Sequence, residues 1–177
     1  MGKGITKTMT KIYIADADTN PSTLTNADVI KGEISNWDQG GGNQNFEYTD
    51  VFGGKITRSQ SRDEFTLSFD LIFNFDDSFR WQEIGMVEHS TGVYVPGDAA
   101  PKAIFIEATD GTGFITLGFN NCNSVELSMS HSADSTREGS IEFSLSHVTD
   151  QGIYNYQADE VAVTGLKDWS LLDSDDS

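Results

Sequence analysis

Residues 64–75 read EFTLSFDLIFNF. Phe65, Leu67, Phe69, Leu71, Phe73 and Phe75 fall at one parity of this stretch, and Glu64, Thr66, Ser68 and Asp70 at the other. Successive side chains of a strand point to opposite faces, so this alternation predicts a half-buried β-strand. The same reading extends outward. KAIFIEA (Lys102 to Ala108) and FITLGF (Phe114 to Phe119) flank Thr109-Asp110-Gly111-Thr112-Gly113. Asp-Gly supplies the positive φ angles of a tight turn, so the three segments predict a hairpin.

A second hairpin is nearly self-similar. SVELSMSH (Ser124 to His131) recurs as SIEFSLSH (Ser140 to His147). Val125, Leu127 and Met129 are expected on the core face with Ile141, Phe143 and Leu145; Glu126, Ser128 and Ser130 are expected outside with Glu142, Ser144 and Ser146. Two matching strands make a hairpin and not a repeat array. Earlier strands are expected over Thr10 to Ala15, Val29 to Trp37 and Asn45 to Phe52, with a loop at Gly40-Gly41-Gly42. DDSFRWQEIGMVE (Asp76 to Glu88) breaks the strand pattern with an Asp/Ser cap and an early Glu83, which predicts a helix near 77–88. The expected fold is mainly β, a sandwich or barrel of antiparallel strands with one flanking α-helix.

The chain of 177 residues fits one domain. It divides into an N-terminal arm (1–9), a β-sandwich body (10–158) with a loop at 53–62, and an acidic C-terminal arm (159–177). That last segment carries Val161, Val163, Leu166, Trp169, Leu171 and Leu172, which a merely solvated tail does not need. Cys122 is alone, which excludes an internal disulfide and a cysteine-based zinc site. No apolar run reaches the roughly 20 residues of a membrane span, and the N-terminus lacks the apolar stretch of a signal peptide. The expectation is a protein made in the cytoplasm with no membrane partner.

Eleven Lys and Arg stand against 28 Asp and Glu, a net charge of −17. Such a surface repels phosphate, because nucleic-acid affinity rests on Lys and Arg displacing counterions. The basic residues gather in two segments: Lys3, Lys7 and Lys11 precede the first acid, Asp16, and Lys55, Arg58 and Arg62 lie in the acid-free GGKITRSQSR, Gly53 to Arg62.

Candidate chemistry is thin. His89, His131 and His147 share no ligand-like spacing, although His131 and His147 end matching strands. No G-x-S-x-G elbow raises a serine nucleophile. Asp16-Ala17-Asp18-Thr19-Asn20 opens like a calcium loop, but Pro21 stands where the turn glycine belongs and Ala27 where the bidentate Glu belongs; an Asx-rich turn is the expected structure. Gly111-Thr112-Gly113 lacks a dinucleotide fingerprint's third glycine. No catalytic residue, metal ligand or cofactor is assigned, and the chain reads as a non-enzyme.

The order of features resembles the major tail (tail-tube) proteins of long-tailed, siphovirus-type bacteriophages. The resemblance covers most of the chain: an N-terminal arm, strands ending in GEISNW (Gly32 to Trp37), YTDVFGGKITRSQSRDEFTLSFDLIFN (Tyr48 to Asn74), the helical DDSFRWQEIG (Asp76 to Gly85), then strand hairpins to about Tyr156. It implies a structural virion protein that self-assembles into hexameric rings stacked as a tube. It also implies partners among other tail proteins (tape measure, terminator, distal tail) and DNA that passes through without specific binding. Type VI secretion tube proteins share that fold. On this reading Lys3, Lys7, Lys11, Lys55, Arg58 and Arg62 are candidate inter-subunit contacts with acidic neighbours. Glu64, Ser68, Asp70, Glu126, Ser128, Glu142 and Ser144 are the candidate lumen face. The alternatives are a β-sandwich binding module, for instance for carbohydrate on a row of exposed Trp37, Trp81 or Trp169, and a hydrolase using paired carboxylates.

Overall fold

The computed structural model describes residues 9–30, 33–41, 44–51, 55–62, 64–72, 86–97, 100–130 and 138–174. Seven strands form a continuous antiparallel network in the order β1-β8-β9-β10-β5-β2, with β11 paired to β9. The strands are β1 (Met9–Asp16), β2 (Glu33–Gly41), β5 (Phe65–Ile72), β8 (Lys102–Thr109), β9 (Phe114–Ser130), β10 (Glu138–Leu145) and β11 (Tyr156–Asp159). Two separate hairpins join β3 (Gln44–Val51) to β4 (Lys55–Arg62) and β6 (Met86–Ser90) to β7 (Val93–Pro96). The strand-rich antiparallel fold expected from the alternation is the one observed.

Strand β9 turns one network into two packed layers. Its first half pairs with β8 and β11, its second half with β10. Between them Asn121 takes a left-handed φ of 54°, which bends the strand. Sheet I is therefore β1, β8, the first half of β9 and β11; sheet II is the second half of β9, β10, β5 and β2. Their inner faces meet in one core. Ile12, Ile14, Ile104, Ile106 and Phe119 come from sheet I, and Phe65, Leu67, Phe69, Ile141, Phe143 and Leu145 from sheet II. The alternation of residues 64–70 is explained directly, since Phe65, Leu67 and Phe69 are buried while Glu64, Thr66 and Asp70 are exposed.

Sheet I is covered on both faces. Ala103 to Ile106 of β8 are 0 to 2% exposed without alternation. The reason lies in the C-terminal segment. Val163, Leu166 and Trp169 pack with Tyr13, Ala103, Phe105 and Leu24 in a second apolar cluster on the outer side of sheet I. Trp169 stacks at a tilt on Phe105, 5.8 Å between ring centres, and reaches Gly118 so closely that a Cβ there would stand 3.1 Å from its ring. Polar ties hold the strap in register. Val163 N donates to Glu107 Oε2 (2.8 Å), Thr116 Oγ1 to Val161 O (2.6 Å), and Gln157 exchanges two bonds with the Lys167 backbone.

The acidic C-terminal arm, whose apolar residues a merely solvated tail does not need, docks through Val163, Leu166 and Trp169 on its own sheet I. Other expectations are corrected. The loop of 53–62 is, over Lys55–Arg62, strand β4. Residues 73–85 lie outside the described residues, so most of the expected helix does too; its end, Met86 to Glu88, is strand β6. The loop placed at Gly40-Gly41-Gly42 begins later, because Gly40 and Gly41 close β2 against Thr66 and Phe65. Gly41 has φ +75° and its missing side chain lets the Glu64 carbonyl approach, a position no Cβ fits. The strand expected at Val29 to Trp37 starts at Glu33, while Val29 makes only an isolated bridge to Tyr13.

Candidate assembly surface

The outer face of sheet II gathers most of the candidate lumen residues. Across four strands the register aligns Asp38 with Ser68, Ser68 with Glu142, and Glu142 with Glu126. The next row runs Asn36, Asp70, Ser140, Ser128, and the row on the other side Gly40, Thr66, Ser144, Asn123. Asp38, Thr66, Asp70, Asn123 and Ser128 are exposed, and Ser68, Ser140, Glu142 and Ser144 half-buried. Glu64, just before β5, joins this face by accepting a hydrogen bond from Ser144 Oγ at 2.9 Å. Every position in these three rows is small, amide or acidic, and none is Lys or Arg. A β-bulge shifts the ladder between Glu142 and Phe143, so Phe143 stands opposite Ser124.

Sheet II also ends in two edges. Among the described residues β2 pairs only with β5, and residues 123–130 of β9 only with β10. Such edges offer unmatched backbone donors and acceptors to another strand.

The basic candidates fall in three places. Lys3 and Lys7 lie outside the described residues. Lys11 is not on an arm: it sits in β1 opposite Glu107, half-buried. Lys55, Arg58 and Arg62 are spread along β4, opposite Val51, Tyr48 and Gln44, so they run the length of a hairpin and do not cluster at its tip.

The bend of β9 is held by amides that the sequence reading passed over. Asn120, fully buried, and Asp18 bond reciprocally: Asp18 N donates to Asn120 Oδ1 (2.9 Å) and Asn120 Nδ2 to Asp18 Oδ1 (2.8 Å). Asn121 Nδ2 donates to Asn155 Oδ1 at 2.9 Å, and Asn155 Nδ2 to Ser146 O at 2.9 Å. The run NNCN at 120–123 is the only sequence signal for this corner. Beside it opens a cleft of about 670 Å³ lined by Asp18, Asp150, Asp168, Asn121, Asn123 and Trp169 among others. Trp169 is 2% exposed, and its Nε1–H has no hydrogen-bond partner among the described residues.

The residues singled out for metal or sugar chemistry point elsewhere. Asp16 pairs with Lys102 Nζ (2.9 Å), which holds its carboxyl below the usual range, Asp18 with Asn120, and Asn20 caps the turn at Pro21–Thr23. The three oxygens thus serve three different partners. Ser130 pairs with Glu138 and Ser144 with Asn123 in the β9–β10 ladder; His131 lies outside the described residues. Trp37 packs against the core and Trp169 is buried, so neither offers an open stacking platform. Burial, together with the nearby Glu107 carboxylate, raises the pKa of Tyr13. Burial pushes the Cys122 thiol up as well, leaving it a core side chain.

No family model and no curated protein matches this sequence. Among solved structures, a chain of the sheath–tube complex of an extracellular contractile injection system (PVC) in the extended state is similar with TM-score 0.52 and 11% identity, over 86% of this chain and 88% of that one. A chain of the anti-feeding prophage (AFP) baseplate covers 92% of this chain and 99% of its own, at TM-score 0.48 and 10% identity. The first likeness establishes a fold shared with a chain of that sheath–tube complex.

Proposed function

We propose that this protein is a non-enzymatic structural subunit of a phage-type tail, assembling with copies of itself into stacked hexameric rings that form a hollow tube for genomic DNA. The observation that carries the reading is the outer face of sheet II: three rows of acidic and small polar residues without a cation, bounded by two strand edges that have no partner among the described residues. Edge-to-edge joining of β2 from one copy with the second half of β9 from the next satisfies those edges. It also extends the acidic face into a wall. Phosphates gain no counterion release from such a wall, so DNA slides past it without binding.

On this reading Glu64, Ser68, Asp70, Glu126, Ser128, Glu142 and Ser144 face the lumen. The basic strand β4, with Lys55, Arg58 and Arg62, contacts acidic surfaces of neighbouring copies, and terminator, tape-measure and distal tail proteins cap the assembly in the virion. The likeness to a chain of a contractile sheath–tube complex supports a second form of the same reading, a tube that sits inside a sheath.

Electron microscopy of concentrated protein tests the proposal. Rings or hollow tubes with six-fold symmetry are expected; a chain that remains monomeric at high concentration, including with a tail-tip nucleating partner, refutes it. Reversing Lys55, Arg58 and Arg62 to Glu is expected to abolish tubes, and normal tubes from that variant would remove β4 from the interface.

A further inference from the structure

The hairpin joining β8 to β9 closes on a chemically reactive pair. Asp110-Gly111 is the only Asp-Gly step in the 177 residues, and no Asn-Gly step occurs. In such a pair the backbone nitrogen that follows the aspartate can attack the side-chain carboxyl, and glycine puts no side chain in the way. The surroundings leave room for that attack. Asp110 and Gly111 are both exposed, and no atom of the described residues lies within 4 Å of the place where a Gly111 Cβ would stand.

The turn's own hydrogen bonds hold both reactants. Gly111 N, the nucleophile, donates to Thr109 Oγ1 at 3.0 Å. That hydroxyl donates in turn to Gly113 O at 2.7 Å, which fixes its proton there and leaves its lone pairs for Gly111. Asp110 Oδ1 accepts from Thr112 N at 2.8 Å and from Gly113 N at 2.9 Å. The Gly113 and Thr112 N–H groups thereby hold the Asp110 carboxyl below the usual carboxylate range. Ring closure needs the opposite state, a protonated carboxyl that can lose its hydroxyl.

We infer that Asp110-Gly111 is a self-modification site, where a succinimide forms and reopens to isoaspartate, and that the Thr109 hydroxyl restrains it in the folded protein. In the first step a bond forms between Gly111 N and Asp110 Cγ and one Cγ–O bond breaks. The amide proton leaves with the carboxyl hydroxyl as water. Water then adds at either ring carbonyl and breaks one C–N bond. Opening at Cγ restores aspartate. Opening at the Asp110 backbone carbonyl leaves the chain running through Cγ, one carbon longer and unchanged in mass. The lengthened turn loses the carboxylate contacts to Thr112 and Gly113, beside the exposed Phe114 and Ile115. None of this depends on the assembly reading.

Incubating the full-length protein in oxygen-18 water at neutral pH tests it. Each opening leaves one heavy oxygen on residue 110, so the label counts passages through the ring, and electron-transfer fragmentation separates isoaspartate from aspartate. In guanidinium chloride the label should concentrate on Asp110 above every other Asp, and in the folded protein it should accumulate several times more slowly. Thr109→Val matches the shape and lacks the hydroxyl, so its folded-state rate should rise roughly two- to tenfold, the equivalent of one lost hydrogen bond. Thr109→Ser keeps the hydroxyl and should label at the parental rate. Both variants are incubated well below their melting midpoints, so that globally unfolded chain does not supply the label. Label spread evenly over the Asp residues of the unfolded chain overturns the site. A Thr109→Val rate equal to the parent's, or a Thr109→Ser rate equal to that of Thr109→Val, overturns the restraint.

Discussion

Replacing Trp169 by Ala tests whether the C-terminal strap is part of the fold. The indole is 2% exposed, rests on Phe105 at 5.8 Å and covers Gly118. Truncating a buried aromatic side chain to Ala costs about 3–5 kcal/mol, counting lost burial and the cavity left behind. One feature reduces the figure here. The Nε1–H is buried without a partner among the described residues, a standing penalty of about 1–3 kcal/mol that the substitution relieves. The expected loss in the dispersed protein, the difference of the two mid-values, is therefore about 2 kcal/mol. For a chain of this size that lowers Tm by roughly 4–8 °C, and with a urea m-value of about 2 kcal/mol/M it moves the midpoint by about 1 M. Trp169→Phe keeps most of the ring and removes the orphan donor, so it should stay within about 1 kcal/mol of the parent. Limited proteolysis supplies a second readout, with cleavage in residues 159–174 accelerated in Trp169→Ala alone. If Trp169→Ala unfolds at the parental midpoint and its C-terminal segment is cut no faster, the strap is not docked and the account of sheet I is wrong. If Trp169→Phe loses as much as Trp169→Ala, the N–H has a partner.

Glu107→Leu should be destabilising, by about 1–3 kcal/mol in urea titration, because it strips the Val163 N–H of its buried acceptor; Glu107→Gln retains an acceptor and should lose about 1 kcal/mol or less. Tyr13 and Tyr156 both have pKa values raised above the ordinary 10.0 by burial. Their contribution is fully present below the unfolded value near 10 and is lost as pH rises through the higher folded values, because the native state then holds protons that the unfolded chain has released. Denaturation midpoints between pH 9 and 12 should show this fall, and Tyr13→Phe should make it shallower; an unchanged slope would count against a buried Tyr13–Glu107 pair.

Sequence reading succeeded where one face of a strand is buried and the other wet. Phe65, Leu67 and Phe69 alternate with Glu64, Thr66 and Ser68 because sheet II has one covered face, and the period of two reports that directly. Sheet I was legible as strand but not as a middle layer. Ala103, Ile104, Phe105 and Ile106 are buried on both faces, and a continuous apolar run does not say what covers the second face. The cover comes from Val163, Leu166 and Trp169, irregular in spacing because they lie on 3-10 turns at Val163–Gly165 and Trp169–Leu171. The bend of β9 escaped for a related reason. Asn120, Asn121 and Asn123 fall between the two expected strands, yet the amides of Asn120 and Asn121 satisfy the backbone and side-chain groups where one strand changes sheet. Of the candidate site, the polar rows were legible from alternation, whereas the cleft depends on residues 18, 121, 150 and 168, which only the tertiary fold brings together.

The two outer faces of the sandwich are treated oppositely, and that limits how copies can meet. The outer face of sheet I is sealed by the chain's own strap, with Val163, Leu166 and Trp169 at 2–5% exposure, so its apolar side chains are not available to a neighbour. The outer face of sheet II is bare, but its rows of Asp38, Ser68, Glu142 and Asn36, Asp70, Ser140 offer almost no apolar area and repel a like-charged copy. Association by stacking faces is thus unfavourable on both sides. What remains are strand edges, which pair through backbone groups regardless of side-chain charge, and the ends of the sandwich. Among the described residues, four of the five exposed large apolar side chains lie there, Phe114 and Ile115 at the hairpin tip and Tyr154 and Leu171 near the cleft, while Val93 is exposed on the separate β6–β7 hairpin. Edges joined around a ring and ends joined along an axis are two independent directions of growth, which a tube needs and a closed dimer does not. A net charge of −17 fits the same scheme: it keeps faces from sticking and leaves association to strand edges and to the ends.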